Sequence, residues 1–260
     1  MKYTAKKVIK IAKSQVGYLE KKSNDRLDSV KKNAGHNNYT KFARDYKTFA
    51  GINLQGQAWC DMFVDWCFTK AFGKKKGKML LGGYNAYTPT SANYFKQMNE
   101  WYDTPQPGDV IFFKNSKRIC HTGIVTKVLG GKVYTIEGNT SAGKKVVPNG
   151  GGVFEKSYIV SNRRIAGYGR PNYDIAYRIP IKTISKVSSK NDIKWLQNKL
   201  NKALKSVFDY VPLIVDGKYG KKTKMAVLLF WRKQGWNKNN SADGTRAGLK
   251  TILKLNKPTK

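Results

Sequence analysis

The 260-residue chain carries little negative charge: 16 acidic residues stand against 50 basic ones, a formal net charge of +34. It has only 2 histidines and 3 cysteines. Cys60, Cys67 and Cys120 stand at no metal-ligand spacing to His36 or His121, which argues against zinc, and an odd cysteine count does not build a disulfide framework. Long apolar runs are missing too. Near Thr4 to Val16, four lysines (Lys6, Lys7, Lys10, Lys13) interrupt Val8, Ile9, Ile11 and Ala12, so no signal-peptide core exists there. No other stretch approaches the roughly 18 apolar residues of a membrane span. The expectation is a chain made in the cytoplasm without an export signal, with no membrane partner and no metal or other cofactor.

Arginine is also scarce, 9 residues against 41 lysines. Bidentate readers of phosphate and base edges rely on arginine, whereas dispersed lysine makes a diffuse field that attracts any polyanion. The charge fits an anionic wall polymer as well as nucleic acid, and a solvated lysine-rich surface explains it equally. No specific nucleic-acid site is expected.

What the chain does have is 40% hydrophobic content, enough for one sizeable core and a second, smaller one. Helical patterns come first: near 4–16, near 40–49, from Cys60 onward and after Ser91. Pro105-Gln106-Pro107-Gly108-Asp109 then turns into strands near 110–113, 119–128, 132–137, 153–160 and 164–168. Helices followed by antiparallel strands make an α+β order. Residues 1–171 are expected as the first domain, 172–190 as a linker and 191–260 as a small helical domain. In the last, Ile193, Leu196, Gln197, Leu200 and Leu204 mark one helix. A second, over 222–235, has Met225, Val227, Leu228, Phe230 and Trp231 assigned to its core. An Asp-Gly motif recurs there, at Asp216-Gly217 and Asp243-Gly244.

Three segments carry chemistry. Cys60 opens an apolar helix after Gly56-Gln57-Ala58-Trp59, where the helix dipole and free N–H groups favour a thiolate. His121 lies in His-Thr-Gly-Ile-Val, and Glu137 and Asn139 lie in Ile-Glu-Gly-Asn. A Cys–His pair needs a third group to fix the imidazole tautomer, and Glu137 or Asn139 can supply it from the neighbouring strand. Strand period sets a condition on this. A plain two-residue turn at Gly130-Gly131 puts His121 and Glu137 on opposite faces, so the chemistry requires a three-residue Leu129-Gly130-Gly131 loop or an equivalent bulge, with Gly131 left-handed. The oxyanion is expected on the Cys60 N–H with Gln57 as second donor, and Trp59 beside the substrate. Cys67 and Cys120 read as small apolar residues, and Asp25 and Asp28 as members of surface ion pairs.

These motifs, in this order and together with Pro107-Gly108-Asp109-Val110, resemble the CHAP family of cysteine- and histidine-dependent amidohydrolases/peptidases over the first 170 residues. The resemblance implies a papain-like fold, catalysis by Cys60, His121, Glu137 and Asn139, and a peptidoglycan amide as substrate, cut by an N-acetylmuramoyl-L-alanine amidase or an endopeptidase. Some CHAP domains carry an Asp-rich calcium loop, but Gly51–Gln57 has no carboxylate, so calcium is not expected there. The last 70 residues resemble the small three-helix peptidoglycan-binding domain. A catalytic module followed by a wall-binding one is the arrangement of phage endolysins, which implies a monomer that acts on peptidoglycan and anionic wall polymers after release from the host cytoplasm. A bacterial autolysin or effector, and a noncatalytic polyanion binder, are the alternatives.

Overall fold

The structure is a computed structural model that describes residues 4–143, 145–173, 183–236 and 242–255. The chain divides into two compact units, Met1–Tyr177 and Arg178–Lys260. In the first unit helices precede an antiparallel sheet, an α+β architecture consistent with a papain-like domain. Its helices are α1 (Ala5–Lys13), α2 (Lys41–Ala50), α3 (Cys60–Phe72), α4 (Lys74–Leu81) and α5 (Thr88–Gln97). Its strands are β1 (Trp101–Tyr102), β2 (Val110–Lys114), β3 (Ile119–Leu129), β4 (Lys132–Thr140), β5 (Gly152–Ile159) and β6 (Ile165–Gly169), in the order β1-β6-β2-β3-β4-β5.

The helix ends follow local chemistry. Thr40 caps α2 by accepting the Ala43 N–H, an interaction worth about 1 kcal/mol. Thr4 occupies the same position before α1 but makes no such bond, and α1 ends at Lys13, short of Val16. α5 begins at Thr88 rather than after Ser91, with proline in its first turn, where a missing N–H costs nothing. α4 has no counterpart in the sequence pattern because its lysines hide a short apolar face of Met79, Leu80 and Leu81.

α3 is apolar on nearly every side because it has neighbours on every side: α1, α2 and α4, and the strands β3 and β4. Met62, Phe63, Cys67 and Phe68 are fully buried in it, and each large apolar side chain contributes about 1.5–3 kcal/mol. How close α3 comes to β4 depends on Gly138. A Cβ at that position would lie 2.6 Å from the Phe63 Cβ and 2.8 Å from the Trp59 ring.

Two buried carboxyls on α3, Asp61 and Asp65, hold α5 and the segment before it. Ser91 Oγ donates to Asp61 at 2.7 Å and the Asn85 N–H to Asp65 at 3.2 Å. Burial first, and for Asp65 the Asp61 charge second, holds both above the ordinary carboxylate range. The folded chain therefore binds these protons more tightly than the unfolded one. The associated stability is fully present below the unfolded carboxylate value and is lost as pH rises toward and past neutrality. Asp65→Asn keeps an acceptor for Asn85 and removes the repulsion. Its advantage in thermal unfolding is expected to be small at pH 4 and to grow to about 1–3 kcal/mol by pH 8; a pH-independent difference would contradict this.

The β3–β4 hairpin decides the faces. Leu129 pairs with Lys132 across a two-residue turn in which Gly130 and Gly131 have φ of 57° and 69°, so the expected three-residue loop does not form. The alternative does. Register shifts between Val125 and Lys127, leaving Thr126 bulged, and Ile124 comes to face Ile136. Continuing the count sets Gly123 against Glu137 and His121 against Asn139, and Gly131 is left-handed as required.

The Pro-Gly-Asp turn ties the sheet together. Asp109 accepts the Gln106 N–H at 2.7 Å and two Arg170 N–H bonds at 3.0 and 2.9 Å, which joins the start of β2 to the end of β6.

In the second unit, β7 (Ile184–Ser185) pairs with β8 (Arg246–Ala247), and Ile184 is fully buried. The stretch expected as linker therefore already belongs to this unit by Ile184; positions 174–182 lie outside the described residues. Its helices are α6 (Lys190–Leu204), α7 (Lys221–Lys233) and α8 (Leu249–Leu255). Ser189 caps α6 by accepting the Asp192 N–H. On α7 the buried face is Thr223, Ala226, Val227 and Phe230, which turns Met225 outward to 59% exposure; its assignment to the core does not hold. The two Asp-Gly motifs are like turns, with Gly217 at φ 76° and Gly244 at φ 70°. The Tyr219 hydroxyl joins them by donating to the Gly244 carbonyl at 2.9 Å.

Candidate functional site

Cys60 is the first residue of α3, His121 lies near the start of β3 and Glu137 lies on β4. His121 Nε2 is 2.9 Å from Glu137 Oε2, and both side chains are 0% exposed. Glu137 accepts two further bonds, from Thr135 Oγ1 at 2.6 Å and from the Tyr158 hydroxyl at 3.2 Å. Burial and the Glu137 charge raise the Tyr158 phenol far above its ordinary value, so it remains a donor. Space for this cluster comes from Gly123, where a Cβ would lie 2.5 Å from Glu137 Cγ. Phe113, opposite His121 in the β2–β3 register, packs its ring 5.8 Å from the imidazole.

Thr135 and Tyr158 did not stand out in the sequence. Thr135 shares a strand face with Glu137 by the two-residue period, a usable signal. Tyr158 required the β4–β5 register, in which Glu137 faces Phe154 and Val133 faces Tyr158.

With Nε2–H given to a carboxylate, the neutral imidazole has its lone pair on Nδ1. That atom is buried and has no hydrogen-bond partner among the described residues. The backbone N–H groups of Asp61, Thr122 and Cys60 lie near enough to the Cys60 sulfur to favour its anion. The sulfur therefore rests beside the 121–122 peptide, yet no hydrogen bond joins it to Nδ1. Contacts of this kind commonly tighten only in the substrate complex.

The expected resting thiolate is not what this environment favours. Burial, then the Asp61 charge, pushes the Cys60 thiol up from 9.0 to about 12 against the pull of those N–H groups. That rise corresponds to about 4 kcal/mol against the anion, whereas a helix N-terminus supplies about 0.3–1 kcal/mol. Burial wins, and Cys60 rests as a thiol. Its alkylation by iodoacetamide is expected to accelerate with pH up to about pH 10 without levelling; a plateau near pH 6–7 would instead reveal a thiolate–imidazolium pair.

The remaining candidates are placed differently. Trp59 is 0% exposed, stacks on Phe42 and donates its indole N–H to Glu20 at 3.0 Å, so it is a core residue and not a substrate contact. Gln57 is exposed on the loop before α3. Asn139 is fully buried at φ 56°, at an irregularity in the β4–β5 ladder, and neither side-chain amide atom has a partner among the described residues. It is not bonded to the His121 ring. Cys67 is buried and Cys120 half-buried. Asp28 forms a bidentate pair with Arg44, and Asp25 lies 3.8 Å from Arg26. Among the described residues, no group of three His, Cys, Asp or Glu is placed to hold a metal ion.

No curated protein and no solved structure matches the chain. Residues 52–139 match the CHAP domain family, a span that contains Cys60, His121, Glu137 and Asn139, and the match supports a peptidoglycan hydrolase of that family.

Proposed function

We propose that the chain hydrolyses an amide bond of peptidoglycan by cysteine nucleophilic catalysis. The observation that carries this reading is a buried histidine held by Glu137 at 2.9 Å, whose neighbour Thr122 brings its N–H close to the sulfur of a helix-start cysteine. His121 Nδ1 takes the thiol proton as Cys60 Sγ bonds to the carbonyl carbon. The C–N bond then breaks and the imidazolium returns that proton to the leaving amine. Water, losing a proton to Nδ1, attacks the thioester; the C–S bond breaks and the thiol is restored. The Cys60 N–H, with the Gln57 side chain, stabilises the oxyanion. A neutral resting thiol suits this sequence, because charge separates only when a carbonyl is present to receive the sulfur. Digestion of purified peptidoglycan followed by mass spectrometry should yield new amine and carboxyl ends. New reducing sugar ends would overturn the reading, and fragment masses separate amidase from endopeptidase.

The second unit is read as the wall-docking module, and residues 190–260 carry 17 basic and 4 acidic residues, a net +13. A chain ending at Tyr173 is expected to cut soluble fragments normally while sedimenting with walls at least about tenfold less, through lost effective concentration. Unchanged sedimentation would end the docking role. An endolysin-type monomer released from the cytoplasm completes the proposal: expression inside bacteria should lyse them only once the membrane is permeabilised.

A further inference from the structure

Within the second unit, a concavity of about 510 Å³ opens between α7 and the segment Asp209–Leu213. Lys222, Met225, Leu229 and Arg232 line it from α7, at successive steps of three, four and three residues that place them along one helix face. Val211 faces them from the opposite wall and is 76% exposed, as unusual for an aliphatic side chain as the exposed Met225. Asp209 stands at the same groove. Among the described residues, Asp209, Lys222 and Arg232 enter no ion pair.

Groove length and chemistry limit what can lie there. The ten helical steps from Lys222 to Arg232 span roughly 15 Å, the length of about four to five extended peptide residues. An apolar floor suits methyl side chains, a cation at each end suits carboxylates, and Asp209 suits an ammonium. A glycan chain presents mainly hydroxyls, which this floor leaves unpaired. We propose that the groove binds the stem peptide of peptidoglycan, with its alanine methyls on Met225 and Leu229, its carboxylates on Lys222 and Arg232, and its amine at Asp209. This deepens the docking role proposed above and rests on it.

The experiment uses the full chain carrying Cys60→Ala, so that nothing is digested, and the synthetic pentapeptide L-Ala-γ-D-Glu-L-Lys-D-Ala-D-Ala. The peptide should bind in calorimetry and displace the chain from sedimented walls. Met225→Asp and the conservative surface change Arg232→Gln, each checked for an unchanged unfolding temperature, should weaken peptide binding roughly tenfold or more. Equal peptide affinity in Arg232→Gln and the parent overturns the proposal. So does displacement from walls by soluble glycan chains or poly(glycerol phosphate) but not by peptide. If the chain ending at Tyr173 sediments as fully as the parent, the docking role itself fails, a result separable from failure of the groove.

Discussion

Replacement of Cys60 by alanine is expected to reduce wall hydrolysis by about 10⁴–10⁶-fold, the range found when the nucleophile of a unit-acting catalytic set is removed. Turbidity loss of wall suspensions measures it, and the sensitivity of the assay sets the floor. The substitution is at a residue that is only 5% exposed, and α3 keeps Met62, Phe63 and Phe68 in the core, so folding and wall sedimentation should persist. That pairing of outcomes, lysis lost and binding kept, separates an enzyme from a polyanion binder. Lysis at the parent rate would remove the nucleophile from the proposal and leave the domain match without chemistry.

The second large effect is expected at Glu137. Its carboxylate is the acceptor for His121, Thr135 and Tyr158 together. Removing it by Glu137→Ala frees the imidazole to turn and exchange tautomers, so kcat should fall on the order of 10²–10⁴-fold. KM should stay within about twofold, because Glu137 is fully buried and touches no substrate. The alanine variant also leaves buried donors without an acceptor, at a cost of about 1–3 kcal/mol. Glu137→Gln controls for that loss: it keeps the volume and one acceptor oxygen, and its kcat should fall less, about tenfold to a hundredfold. Parent-level kcat in both variants would show that His121 is oriented by something else.

Much of this was legible before any coordinates. Apolar patterns located α2, α3 and five of the strands because each buries one well-defined face or, for α3, almost its whole surface. The requirement that His121 and Glu137 share a face correctly demanded an odd residue in the hairpin. Where that residue sits was not legible, since a bulge at Thr126 and a longer turn give the same parity and differ only in strand packing that a linear pattern does not contain. Trp59 misled for a related reason. An aromatic beside a nucleophile reads as a substrate wall, but its indole N–H found Glu20, a partner 39 positions away in sequence. The thiol was misjudged because a helix start is visible in sequence and the extent of burial around it is not. In the second unit Met225 read as core because apolar residues run together at 225–231, and only the helix phase set by Thr223, Ala226 and Phe230 shows which of them point outward.

The single bulged residue at Thr126 gives the hairpin a rule of parity. Deleting Thr126 alone would leave a regular hairpin in which Val125 still faces Thr135 and Ile124 still faces Ile136, so His121 would stay on the side of Glu137. The odd residue absorbs the mismatch between the two-residue turn and the pairing nearer His121, so this arm can lose one residue at the bulge and keep its faces. Straightening the bulge while Thr126 stays would instead set Gly123 against Gly138 and turn the imidazole away from Glu137, so an enzyme shortened by that one residue is expected to work where a slipped one is inert.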